Sequence, residues 1–361
     1  MKITVVGGGN VGTQIAVNCA AKGHPVTMYS SRPDEFRKEP EIVDENDCCI
    51  LKGSLHKATY DDEEAFSGAE LIFVTLPAFC MKEIGERIEQ YVSEGAIVCI
   101  VPGTGGGECC FRGCIQKGAV LAGLQRVPAI ARLVKYGEKV RVTGYKTELK
   151  LGTLPAAEAG RCAMIIAGIF DIPCLALNNY LNVTLTPSNP ILHTTRLYTL
   201  FREDTPGKIY SRIPLFYQEW SMESAEELLA CDDELQFVCK KMKEFDLSEV
   251  KSLREHYESP TAERMTAKIQ SIKAFQGLLT PMVAQNEGFR PDYQSRYFTA
   301  DFSYGLAILV NVAELCGAEV PHMKKVLEWY YKVSGDQHRF SYADYGIDTY
   351  EQFVLFYKFY R

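Results

Sequence analysis

The chain has 361 residues, too many for one ordinary core and comfortable for two domains. With 47% hydrophobic and 24% charged residues it has the profile of a water-soluble globular protein. A net charge of −7 without any basic run argues against nucleic acid or a membrane surface as partner, and no stretch of 18 or more apolar residues offers a membrane helix.

Met1-Lys2 leads directly into Ile3-Thr4-Val5-Val6, with no apolar signal segment and cleavage site before it. Thirteen cysteines, an odd number in a long chain, are expected to be reduced thiols in the cytoplasm. Cys48-Cys49 and Cys109-Cys110, with Cys114, lack the Cys-x-x-Cys spacing of a structural zinc site, so no metal is expected.

In chain order, residues 3–6 read as a buried strand, 11–22 as a helix and 25–29 as the next strand. A strand over 71–76, a helix over 81–91 and a strand over 96–101 follow. Short apolar runs bounded by Gly and Pro are the mark of parallel strands buried on both faces. Further strand signals lie at 120–124 and 139–143, then a helix at 156–169 and a last strand at 174–177. The expected fold is therefore an α/β N-terminal Rossmann domain, a mostly parallel doubly wound sheet, over 1–180. From 181 to 361 the pattern turns helical, with examples at 222–245, 261–279 and 306–316. The last is closed by Gly317 and followed by Pro321. An all-α C-terminal domain is expected there.

Gly7-x-Gly9-x-x-Gly12 follows the first strand and opens the first helix, which is the context a dinucleotide-binding motif requires. Gly7 permits the turn, Gly9 admits a pyrophosphate and Gly12 lets helix and strand pack closely. Asn10 and Val11 begin the helix whose free N–H groups face the phosphates. A glycine-rich turn in some other α/β protein is the plainer reading. The second strand ends in Tyr29-Ser30-Ser31-Arg32-Pro33, without the acidic residue that holds the ribose 2′-hydroxyl of NAD. Ser30, Ser31 and Arg32 suit a 2′-phosphate instead, so NADP(H) is favoured over NAD(H), although Asp34 lies close by. Leu76-Pro77 and the loop 102–107 end later strands and are candidates to face the dinucleotide, or are simple turns.

Of six histidines only His193 has a setting that points to chemistry. Asn189-Pro190 reads as an N-cap with proline at the first helical position, which puts His193 one turn into a helix. A lone helical histidine is more often structural, and Asn189 more often a plain cap. Asp301 is expected in the first turn of an apolar helix, with Thr299 as a cap. Its plain role is electrostatic capping. Its functional role would be to orient and charge His193. The aromatic and arginine-containing stretch 198–220 either lines a substrate pocket or is core.

These blocks together resemble the octopine/nopaline (opine) dehydrogenases, which are NAD(P)-dependent. The resemblance spans essentially the whole chain. It rests on the glycine motif, Gly152-Thr153-Leu154-Pro155, Asn189-Pro190-x-x-His193 and Arg296-Tyr297-x-Thr299-x-Asp301-x-x-Tyr304-Gly305. It implies a helical second domain of the 6-phosphogluconate dehydrogenase-like type and a catalytic pair, His193 and Asp301. It also implies that Arg296, with Asn189, faces substrate. The implied reaction is NAD(P)H-dependent reductive condensation of an amino acid with a 2-oxo acid. The partners are then small molecules, with homodimer formation left open. Octopine dehydrogenases favour NADH and are longer, so neither the cofactor nor the substrate is inherited. Two other readings stand beside this one: a Rossmann-plus-helical reductase of a 2-oxo or 3-oxo acid without an amine, and a non-catalytic NADPH sensor.

Overall fold

The computed structural model describes residues 1–205 and 207–359. Packing divides it into two compact units, Met1–Thr184 with the chain from Leu355 onward, and Leu185–Val354. The helical pattern of the sequence assigns all of 181–361 to one domain. The end of the chain departs from this because Tyr357 is buried and its Oη donates to Glu108 Oε1 of the first unit at 2.6 Å.

The first unit is built on an eight-stranded sheet. Its strands are β1 (Ile3–Val6), β2 (Val26–Tyr29), β5 (Lys57–Thr59), β6 (Leu71–Val74), β7 (Ile97–Ile100), β8 (Val120–Leu124), β11 (Leu149–Leu154) and β12 (Cys174–Ala176). They lie in the order β12-β11-β8-β7-β6-β1-β2-β5. All neighbours are parallel except β11 against β8. Every residue of β1, β2, β6, β7 and β8 is buried, which is why these segments read as uninterrupted apolar runs.

The unit has a second sheet beyond those the sequence predicts. It joins β3 (Glu41–Val43), β4 (Cys49–Lys52), β9 (Ala129–Lys135) and β10 (Lys139–Tyr145) in the order β4-β3-β10-β9. The segment 139–143 is a strand, but of this sheet. One face packs Ile42, Ala129, Ala131, Val140 and Val142 against Val17 of the first helix; the other carries Lys and Glu to solvent.

In the second unit the helices Asn189–Phe201, Met222–Lys241, Ala262–Ser271, Ala307–Leu315 and Pro321–Ser334 dominate. Ser221 and Thr261 cap two of them by accepting from Ser224 N and Arg264 N. The helix expected over 261–279 stops at Ser271, and the chain then forms a hairpin, β13 (Met282–Gln285) on β14 (Gly288–Pro291). The helical unit thus carries one small β element. The thirteen cysteines are free thiols.

The run Arg296–Leu315 is long and apolar enough to cross a membrane by length and composition alone, but 61% of its apolar 18-residue stretch is buried inside the protein. It is a core helix, and it carries a carboxylate that is used inside the unit.

Candidate active site and cofactor loop

The glycine loop has the geometry its motif demands. Gly7 sits at φ +101°, a left-handed conformation. Thr75 Oγ1, at the end of β6, donates to the carbonyls of Val6 at 2.8 Å and Gly7 at 3.2 Å and pins the turn. A Cβ on Gly12 would lie 1.8 Å from the Gly7 carbonyl oxygen, whereas a Cβ on Gly9 would meet nothing within 4 Å. Gly12 is therefore needed for helix–strand contact, and Gly9 leaves its outer side open. Helix Asn10–Ala21 starts at Gly9 with no side chain capping it, so its first N–H groups are presented to an anion. The cradle fits a dinucleotide pyrophosphate. The Asn10 side chain is engaged elsewhere, accepting from Leu133 N at 2.8 Å, so only its backbone is available to the phosphates. Leu76 and Pro77 follow β6, beside β1, and a Cβ on Gly7 would touch Leu76 Cδ2 at 3.0 Å.

Beyond β2 the three polar residues differ. Ser30 is buried, and its Oγ lies 2.7 Å from Tyr136 Oη and accepts from Arg32 N at 3.1 Å. Ser31 is exposed. The Arg32 guanidinium lies 3.7 Å from the Tyr136 ring centroid and 3.3 Å from both Glu35 oxygens. The hydroxyl and the guanidinium are thus organised by one residue, Tyr136, in the turn between β9 and β10. Nothing in its local sequence signalled this.

The second constellation lies within the helical unit. Helix Asn189–Phe201 begins one residue earlier than expected for its cap: Ser188 is the N-cap, Asn189 is the first helical residue and Pro190 follows. Asn189 is exposed, and His193 is one turn in and 7% exposed. Asp301 does not cap a helix. It has αR backbone angles and caps nothing with its side chain, because a short helix Arg296–Thr299 precedes it and a π-helical turn, Phe302–Leu306, follows. Thr299 is not a cap either, since its Oγ1 donates to Ser295 O at 3.2 Å.

Asp301 Oδ2 lies instead 2.7 Å from His193 Nδ1, across 108 residues of sequence. Close backbone approach makes this contact: a Cβ on Gly305 would come within 3.1 Å of the Pro190 ring. The π turn, with Leu306 N bonded to Asp301 O, aims the carboxylate inward. Since a carboxylate only accepts, Nδ1 carries the proton and Nε2 is left as the basic nitrogen.

His193 Nε2 lies 2.7 Å from Tyr217 Oη, and Tyr297 and Phe216 flank the imidazole at ring distances of 4.5 Å and 5.6 Å. Tyr217 was visible in the sequence only as one aromatic among many in 198–220. Arg196, three residues beyond His193, is buried. It donates to Phe216 O at 2.9 Å, Glu219 O at 2.6 Å and Ser224 Oγ at 3.1 Å. Burial draws this guanidinium down to about 10, so it remains charged at neutral pH. Arg296 is exposed and makes no ion pair with a carboxylate among the described residues. Those residues hold no cluster of His, Cys, Asp and Glu able to bind a metal.

A Rossmann unit with a dinucleotide cradle, followed by a helical unit with a buried histidine–carboxylate pair, defines an NAD(P)-dependent oxidoreductase. Residues 2–109 match the family model of the NAD-dependent glycerol-3-phosphate dehydrogenase N-terminus. Residues 176–334 match that of the NAD/NADP octopine/nopaline dehydrogenase alpha-helical domain. Over that segment the chain is similar to the octopine/nopaline (opine) dehydrogenases. It is 29% identical to the opine dehydrogenase of Haliotis discus hannai, over 93% of this chain and 91% of the relative. It is 26% identical to the tauropine dehydrogenase of Arabella iricolor, over 93% and 92%. A solved structure of octopine dehydrogenase with NADH and L-arginine superposes with a TM-score of 0.84 at 22% identity, over 98% of both chains.

Proposed function

We propose that the chain catalyses NAD(P)H-dependent reductive condensation of an amino acid with a 2-oxo acid, and the reverse. His193 and Asp301 act on protons, and Arg296 and Asn189 face substrate. The observation that carries this is the 2.7 Å contact between His193 and Asp301, which unites the two most specific motif blocks. Relatives of this family named for opine and tauropine formation, and a neighbour solved with NADH and L-arginine, support the substrate class.

In this reading the bound nicotinamide supplies the hydride, and the protein supplies orientation and proton transfer. The amine of one substrate attacks the carbonyl of the other, and the resulting hydroxyl must leave as water. His193 serves that proton transfer from its Nε2 side, while Asp301 fixes the tautomer and stabilises the imidazolium. Both substrates carry carboxylates, and an exposed arginine without a carboxylate partner among the described residues is suited to take one through two parallel hydrogen bonds. Incubating the protein with NAD(P)H, pyruvate and a panel of amino acids should give a product of the mass of amino acid plus pyruvate, less water and plus two hydrogens. Formation of lactate alone would contradict the reading.

Arg296→Lys keeps the charge and loses the planar fork. The expected result is a loss of about 10- to 100-fold in kcat/KM for one substrate, the worth of one charge-assisted hydrogen bond or two. Dinucleotide affinity should be unchanged. Steady-state kinetics with each substrate varied in turn provides the check, and normal constants for both would rule the clamp out.

The preference for NADP(H) belongs to the same proposal. Arg32, exposed beyond β2, stacked on Tyr136 and paired with Glu35, supports a contact to a 2′-phosphate that would take the place of that carboxylate. Arg32→Ala is expected to weaken NADPH by about tenfold or more, the worth of a charge-assisted contact, and to leave NADH nearly untouched. Fluorescence titration of both cofactors measures this. Equal affinities in the parent chain would contradict it.

A further inference from the structure

Both nitrogens of His193 have partners within the helical unit. Nδ1 meets the Asp301 carboxylate and Nε2 meets the Tyr217 hydroxyl, each at 2.7 Å. The imidazole is 7% exposed and Tyr217 4% exposed. A substrate oxygen can become the partner of Nε2 only by displacing Tyr217, and Tyr217 is held on several sides. Its ring stacks on Phe275 at 4.0 Å and 16° and lies parallel to Trp220 at 6.3 Å and 7°. The turn that carries it is fastened at Phe216 O and Glu219 O by the buried guanidinium of Arg196. The Glu219 carboxylate closes the same turn. It receives Arg212 at 2.8 and 2.6 Å and Leu215 N at 2.8 Å, which hold it down at about 2.

We propose that the proton relay has three members, Asp301, His193 and Tyr217, and that the Tyr217 hydroxyl rather than the imidazole gives the proton to the hydroxyl leaving the substrate carbon. Arg196 is the residue that positions it. The proposal rests on the reading of His193 and Asp301 given above.

The proton balance closes with the substrates alone: the substrate ammonium, which must lose a proton before it can attack, passes it to the Tyr217 oxygen as the Tyr217 hydroxyl proton moves to Nε2, and this turns the neutral imidazole into the imidazolium. The Tyr217 O–H bond breaks as a new O–H bond forms on the departing hydroxyl, which leaves as water. The phenolate then takes the Nε2 proton of the imidazolium, and Asp301 keeps the Nδ1 proton in place throughout. No group is oxidised or reduced in these transfers, and the reverse reaction runs them backwards. A phenol suits the position between imidazole and substrate because its oxygen donates and accepts at once. A phenolate is a stronger base than a neutral imidazole, so its reprotonation by an imidazolium runs downhill.

Tyr217→Phe tests this directly, since it keeps the stacked ring and removes only Oη. The expected result is a fall in kcat of about 100-fold or more, the usual worth of a general acid. KM for both substrates, NAD(P)H affinity and melting temperature should be unchanged. Site-specific 3,5-difluorotyrosine at 217, a more acidic phenol, should restore turnover and move the basic limb of the kcat–pH profile to lower pH. In the ligand-free protein, Tyr217→Phe should shift the Nε2 resonance of His193 in an ¹⁵N-histidine spectrum. An unchanged or raised kcat in Tyr217→Phe, or a pH profile indifferent to the fluorinated phenol, would overturn the proposal. His193→Ala, measured in parallel, separates the two levels. If it is inactive while Tyr217→Phe is active, only the third member falls; if it retains full turnover, the reading of His193 itself falls.

Discussion

Replacing His193 by alanine is expected to lower turnover by about 10²–10⁴-fold, the range for loss of a general acid–base group. NAD(P)H affinity should stay near that of the parent chain. Asp301→Asn should also be costly. If Asp301 were a helix cap, asparagine would replace it at little cost, but its side chain caps nothing and lies on His193 Nδ1. An amide can present its NH2 to Nδ1 and so favour the wrong tautomer, and it cannot stabilise the imidazolium. Because the two residues form one unit, the double variant should be little worse than His193→Ala alone. Steady-state rates for the four proteins of this cycle decide the matter. Losses that add would show two independent roles.

The second large effect is expected at Gly12. An alanine there would put its Cβ 1.8 Å from the Gly7 carbonyl oxygen and 2.7 Å from Thr75 Oγ1. The first neighbour is backbone, so the helix must move off β1. Overpacking of this kind costs about 1–3 kcal/mol or more, seen as a fall of several degrees in melting temperature. Dinucleotide binding should be lost with it. Gly9→Ala is the contrast, because its Cβ meets nothing within 4 Å. It should melt like the parent chain and yet bind NAD(P)H more weakly, since the added methyl would occupy the side proposed for the pyrophosphate. Melting curves and cofactor titrations on the two variants provide the check. A Gly9→Ala protein with unaltered affinity would show that the phosphates lie elsewhere.

The difference between these glycines was legible from the sequence because the motif assigns each one a separate steric task. The buried parallel strands were legible for a similar reason, since burial on both faces leaves an unbroken apolar run. The sheet of β3, β4, β9 and β10 was not, because strands such as Ala129–Lys135 are half-exposed and mix Arg and Lys with short apolar steps. The hairpin Met282–Pro291 was obscured by extending the Thr261-capped helix too far, past its true end at Ser271. At the site, Thr299 and Asp301 look like a helix start by residue type. Their side chains go elsewhere because a short helix already runs before them and a π turn continues the chain. Tyr217 and Tyr136 were hidden for a different reason. An aromatic residue reads as core whether or not its hydroxyl has a polar task, and only the fold shows which nitrogen or guanidinium it meets.

Turnover that joins two substrates is tested by NAD(P)H oxidation with a 2-oxo acid in the presence and absence of amino acids. Oxidation should be negligible with pyruvate alone, become saturable once a suitable amino acid is added, and lose that amine-dependent rate in His193→Ala. Oxidation with the oxo acid alone, at a rate that no amino acid changes, would contradict it.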